Sequence, residues 1–197
     1  MQLLLASKSP RRRELLGQIG IPFSIVDIDV DEHLTTPVPA SQVAESLAVL
    51  KAEGYTQQLG CGQVLVTADT VVVCGSRVLG KPVTREDAIA MLDSLSGRTH
   101  QVYTGVCLRT CDRISHFSEC TQVRFRSMDS AELVYYVDKY KPYDKAGAYG
   151  IQEWIGMVGI EAIEGCYYNV MGLPVARLYK ELKLLVDADE AFVHQLS

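Results

Sequence analysis

Several features are scarce in this sequence or missing from it. No uninterrupted run of about 18 apolar residues occurs, so no transmembrane helix is expected. The opening stretch MQLLLASKSPRRR puts its apolar run before its basic cluster, the reverse of a secretory signal. The cysteines at 61, 74, 107, 111, 120 and 166 contain no CxxC pair and form no Cys/His set with zinc spacing. That predicts reduced, mostly buried thiols in a cytoplasmic protein. The histidines at 33, 100, 116 and 194 form no constellation, and no Ser–His–acid or Cys–His arrangement stands out. There are no internal repeats and no low-complexity tracts. Positive charge is not in excess: the formal net charge is −5, which argues against nucleic acid or an anionic membrane as partner.

What is present suits one globular α/β domain. The 197 residues are 48% hydrophobic, enough for a sizeable core. Leu3 to Ala6 reads as a buried strand that runs into the turn SKSP and a helix from Pro10 to Ile19, stopped by Gly20. Phe23 to Asp31 alternates apolar and acidic residues and predicts a half-exposed strand. Residues 40 to 59 predict a helix with Val43, Leu47 and Leu50 inward, and Val64 to Cys74 a central strand. A helix over 85–95, strands over 100–109 and 114–126, and a helix over 129–139 follow. Then come the loop AGAYGIQ, a strand over 158–163 and a final helix opened by Pro174. Strands and helices interleave, which predicts a mixed sheet with flanking helices and two lobes around a cleft.

Three arginines at a helix start need a reason. Ser9 and Pro10 are good opening residues, with the Ser9 side chain expected to cap a free N–H. That end of a helix already carries roughly +0.5 of an elementary charge, which disfavours cations. Helical spacing aims Arg12 over the inward face of Leu15, Leu16 and Ile19, with Arg11 on its flank and Arg13 toward solvent. A bound phosphate resolves the conflict: it takes the free N–H groups, the arginine forks and the hydroxyls of Ser7 and Ser9. The turn is not a Walker loop.

Asp69 interrupts the apolar run VLVTADTVVV. It needs a partner, a proton or a polar cleft. Beside a phosphate it can ligate a divalent cation or take a proton from water. Glu32, where DIDVDE runs into a loop, is a candidate metal ligand. Lys51, at the edge of its helix's apolar stripe, and Lys81 in LGKP are within reach of a triphosphate if they do not simply face solvent.

Taken together, LASKSPRR (5–12), DVDE (29–32), ADTVV (68–72), GKP (80–82), SGRTHQVYTG (96–105), DKAGAYGIQ (144–152) and NVMGLP (169–174) resemble the Maf family of nucleoside triphosphate pyrophosphatases, in order and over nearly the whole chain. One departure is Thr67, where the family often has glycine. The resemblance implies a single domain over 1–197 with an elongated mixed sheet and a deep cleft, similar to the inosine triphosphate pyrophosphatases. It implies hydrolysis of a nucleoside triphosphate between the α and β phosphates with a divalent cation, Mg²⁺ or Mn²⁺. Asp69 matches the family's general base. Ser7, Ser9, Arg12, Lys51 and Lys81 match phosphate-binding positions, and Glu32 a metal-site acid. Arg11, Thr70 and Gln152 match positions linked to base selection. Thr70 with GAYGIQ resembles the subgroup acting on dTTP and UTP. The resemblance is compatible with a homodimer. The alternative is a nucleotide-binding regulator of cell division without significant turnover. No kinase loop supports a phosphotransferase.

Overall fold

A computed structural model of the chain describes residues 1–185. His194 and the segment around it lie outside the described residues. The strands are β1 (Gln2–Leu5), β2 (Phe23–Ile25), β3 (Gln63–Cys74), β4 (Arg77–Leu79), β5 (Thr99–Arg109), β6 (Ile114–Phe125) and β7 (Ile160–Glu164). The helices are α1 (Pro10–Gln18), α2 (Val43–Glu53), α3 (Arg85–Leu95), α4 (Ser130–Tyr140), α5 (Trp154–Gly159), α6 (Tyr167–Met171) and α7 (Val175–Leu185). The strands form one mixed sheet in the order β2-β1-β3-β5-β6-β7, with β4 on β3. β1 runs parallel to β2 and β3, and every other pairing is antiparallel. The α/β class with flanking helices is as the sequence predicts.

The pairing of β3 creates the opening that matters. One edge of β3 is covered along its length by β5, from Leu65 to Val73. The other edge is covered by β1 only as far as Val66, and by β4 only from Val72. Between those two short partners lies an uncovered stretch that contains Asp69 and Thr70. Burial follows the gap: residues 64–68 and 71–73 are buried, whereas Asp69 and Thr70 are partly exposed. A carboxylate inside an apolar strand is tolerable there because no neighbouring strand seals it from water.

Helix α2 lies on the face of the sheet carrying the odd-numbered residues of β3. Its buried face is Ala44, Ala48, Lys51 and Ala52. The expected stripe of Val43, Leu47 and Leu50 is only half-buried, and the helix is shorter than 40–59, with a 3₁₀ turn at Ala40–Gln42 before it. The reason is close approach. A Cβ at Gly105 would fall on the backbone of Ala44 and Glu45, and the Thr67 hydroxyl donates to the Ala48 carbonyl at 2.6 Å. Only alanine-sized side chains fit such a contact. The same contact gives Thr67 a place, and it carries Lys51 inward, where the sequence suggested an edge position.

Other expectations are corrected. Of the strand expected over 23–31, only Phe23–Ile25 pairs, because β1 ends at Leu5 and the chain beyond Val26 runs past its last partner. The strand expected over 158–163 begins as helix α5 and becomes β7 only at Ile160. Ser9 stands at the N-cap of α1 without a side-chain capping bond. Of the six cysteines, all free thiols, only Cys107 is buried; Cys61, Cys111 and Cys120 are exposed. Two main cores result. One joins α1 and α7 to the β1 end of the sheet, and the other joins α3, α4 and α5 to its far end. Met171 packs against both. Among the described residues no helix is long and apolar enough to cross a membrane.

Candidate active site

A cavity of about 560 Å³ opens at the uncovered edge of β3, within the ordinary range for a small-molecule site. Ser7, Ser9, Arg11, Arg12, Glu32, Lys51, Asp69, Thr70, Lys81 and Gln152 all line it. Adjacent strand residues point to opposite faces, so Asp69 faces α2 and Thr70 faces α1. The cavity reaches around the open edge and joins the two faces.

On the α1 face, Arg12 is held by neutral acceptors. Its Nε donates to the Gly172 carbonyl at 2.7 Å, Nη1 to the Ala68 carbonyl at 2.9 Å and Nη2 to Thr70 Oγ1 at 2.9 Å. Among the described residues no carboxylate pairs with it directly. Burial lowers its pKa from the ordinary guanidinium value, and the nearby Arg11 pushes the same way. The fields of Asp69 and Glu32 oppose the shift. Arginine stays charged under such shifts, so this corner keeps a positive charge that its hydrogen-bond partners do not cancel. The N-terminus of α1 adds to it. Arg13, expected toward solvent, is half-buried and donates back to the Ser7 carbonyl.

On the α2 face the arrangement is the reverse. Lys51 Nζ is 2.5 Å from Asp69 Oδ1 and 3.1 Å from Glu32 Oε1. Lys51 is 9% exposed. One cation between two carboxylates leaves a formal charge of −1 at this corner. The donors are hard oxygens, and both carboxylates converge on one point. Among the described residues no cluster of three or more His, Cys, Asp or Glu forms a complete metal-ligand set. Two carboxylates nevertheless fit Mg²⁺, which takes one or two of them and fills its shell with water and substrate phosphate.

A third group lies on the loop before α5. Arg11 Nη1 donates to Asp144 Oδ2 at 2.8 Å, and Lys145 Nζ lies 2.7 Å from Asp144 Oδ1 and 3.0 Å from Glu153 Oε1. The Tyr136 hydroxyl closes this network on Glu153. Burial tends to raise the Asp144 pKa, but hydrogen bonds from Lys145 and Arg11 outweigh it and hold the carboxyl below its ordinary value. Gly147 N donates to the Gly80 carbonyl at 2.9 Å, tying this loop to the turn that bears Lys81. Asp144, Lys145 and Tyr149 also line the cavity, beyond the residues that the sequence singles out. The signal for them was the charged pair that opens the glycine-rich loop.

Cations, a helix N-terminus and paired carboxylates around one gap in a mixed sheet define an α/β protein whose cleft can take a polyphosphate and a metal ion together. The chain belongs to the Maf family: the family model described as "Maf-like protein" matches residues 2–185. A relative in Bacteroides fragilis, named "dTTP/UTP pyrophosphatase", is 49% identical over 185 residues, covering 93% of this chain and 96% of the relative. One of the same name in Parabacteroides distasonis is 50% identical over 183 residues, covering 92% and 95%. Two solved structures resemble the fold loosely. A nucleoside-triphosphatase / dITP/XTP pyrophosphatase from Mycobacterium abscessus has a TM-score of 0.43 at 12% identity, covering 95% of this chain and 99% of that one. The Staphylococcus aureus Ham1 protein has a TM-score of 0.49 at 14% identity, covering 93% and 100%.

Proposed function

We propose that this chain is a nucleoside triphosphate pyrophosphatase that hydrolyses dTTP and UTP, and modified pyrimidine triphosphates, to the monophosphate and pyrophosphate. The observation that carries the reading is one cavity with a positive corner at Arg12 and a carboxylate corner at Asp69. The names of the relatives point the same way.

In this reading the triphosphate lies against the Ser7–Ser9 turn and the start of α1, with Arg12 and Lys81 on its phosphoryl oxygens. Water attacks the α-phosphorus, and Asp69 takes its proton. The new P–O bond forms as the bond to the bridging oxygen breaks, and that oxygen leaves with the electron pair on pyrophosphate. Positioned cations stabilise the charge that builds on the leaving group. Lys51 holds Asp69 in place from the side. Asp69 and Glu32 would hold a divalent cation, which when bound supplies charge neutralisation and a more acidic water. Arg11 and Gln152 are assigned to the base. The same reading takes the chain as one domain acting in the cytoplasm on a free nucleotide, with no part for nucleic acid and room for a homodimer.

A panel of nucleoside triphosphates with Mg²⁺ or Mn²⁺ tests it. UTP and dTTP are expected to yield monophosphate and pyrophosphate. Release of orthophosphate alone would refute the bond choice. Tight binding without turnover under any metal would favour the regulator instead.

A further inference from the structure

The hydrogen bonds behind Arg12 have a direction that the donors and acceptors themselves dictate. Thr104 Oγ1 lies 2.9 Å from the Asn169 carbonyl, which can only accept. Its one proton is therefore committed there. Thr104 is also 2.9 Å from Thr70 Oγ1, so Thr70 must be the donor in that pair. Thr70 then has no proton left, and its oxygen accepts from Arg12 Nη2, which can only donate. Thr70 and Thr104 are directly opposed across β3 and β5. At the far end Asn169 is fully buried, and its Nδ2 donates to the Val102 carbonyl at 3.0 Å and to Thr121 Oγ1 at 2.9 Å. Those bonds pin α6 to β5 and β6. The residue that follows α6, Gly172, supplies the carbonyl for Arg12 Nε.

We propose that Thr104 and Asn169 are positioning residues for the anion site: a one-way chain from the Asn169 carbonyl through the Thr104 and Thr70 hydroxyls aims Arg12. Three of the five guanidinium N–H groups are spent on Gly172, Ala68 and Thr70, which leaves two for the ligand. The chain also leaves Thr70 no proton to donate to a base; its oxygen accepts from Arg12 and keeps one lone pair. This inference rests on the proposed triphosphate site.

The test uses Thr104→Val, which keeps the side-chain shape and removes the hydroxyl, and Thr104→Ser, which restores it. Thr104→Val removes hydrogen bonds between neutral groups, whose scale makes about a three- to tenfold loss the expectation. That loss should appear in kcat/KM, by the same factor for UTP and dTTP. It should recur in the Kd of inorganic tripolyphosphate measured by calorimetry without metal. Thr104→Ser should stay near wild type. Thr70→Val serves as a second probe if Thr104→Val folds poorly, and should give the same loss of tripolyphosphate affinity. Unchanged tripolyphosphate affinity in both valine variants overturns the proposal, as does a changed UTP-to-dTTP ratio in Thr104→Val or no tripolyphosphate binding by the wild-type chain. If wild type releases no pyrophosphate yet its tripolyphosphate binding depends on Thr104, the proposed reaction fails and the positioning chain stands.

Discussion

Arg12 and Lys51 are two cations on opposite faces of the same strand, and the protein treats them in opposite ways. Arg12 donates to two carbonyls and a hydroxyl, none of which carries charge. Lys51 lies between two carboxylates, which more than cancel it. Hydrogen bonding and charge compensation are separate demands on a buried ion. Satisfying only the first leaves Arg12 an attractor for anions. Over-satisfying the second leaves the Lys51 corner an attractor for cations. A metal–polyphosphate complex carries both signs and suits a cavity made of both corners.

The largest expected effect comes from breaking the second corner without changing its shape. Asp69→Asn is expected to lower kcat by about a thousandfold, the scale of a lost general base, with KM near the wild-type value. A kcat within a factor of about ten would remove Asp69 from that role. The first corner is broken next by Arg12→Lys, which keeps the charge and loses the planar fork. A lysine cannot reach Gly172, Ala68 and Thr70 together, so kcat/KM for UTP should fall by about a hundredfold. Near-normal kinetics would mean that a point charge suffices there. The smallest effect sharpens the contrast between the corners. Glu32→Gln is expected to weaken Mn²⁺ binding, followed by electron paramagnetic resonance, by about tenfold. Arg12→Lys should leave Mn²⁺ affinity unchanged. Equal losses in the two variants would show that the corners do not divide the work by sign.

Much of the fold was legible along the chain. The continuous β-branched run of β3 and the spacing of Ala88, Leu92 and Leu95 in α3 have strong periods, and both elements form where expected. The short helices α5 and α6 were not, because one or two turns show no apolar period to read. Helix α2 buries Ala44, Ala48, Lys51 and Ala52 rather than its leucine stripe. Leucine spacing is a rule for helices packed at ordinary distance, and α2 packs on Gly105 at alanine distance. The alternation through DIDVDE was real as a pattern of burial, yet a strand also needs a neighbour to pair with, and a single segment's sequence says nothing about where its neighbour ends.

The site divides in the same manner. From the residues alone came the kinds of group involved: hydroxyls and arginines at a helix start, and an acid set in an apolar strand. Those are local facts, readable because each offends a local rule of charge or burial. Which cation keeps its charge is a tertiary matter. That depends on β1 stopping at Leu5 and β4 ending at Leu79, on the Gly105 contact that swings Lys51 onto Asp69, and on α6 arriving from far along the chain to offer Arg12 a carbonyl instead of a carboxylate. Electrostatic compensation depends on distance in space, and only folding sets that distance.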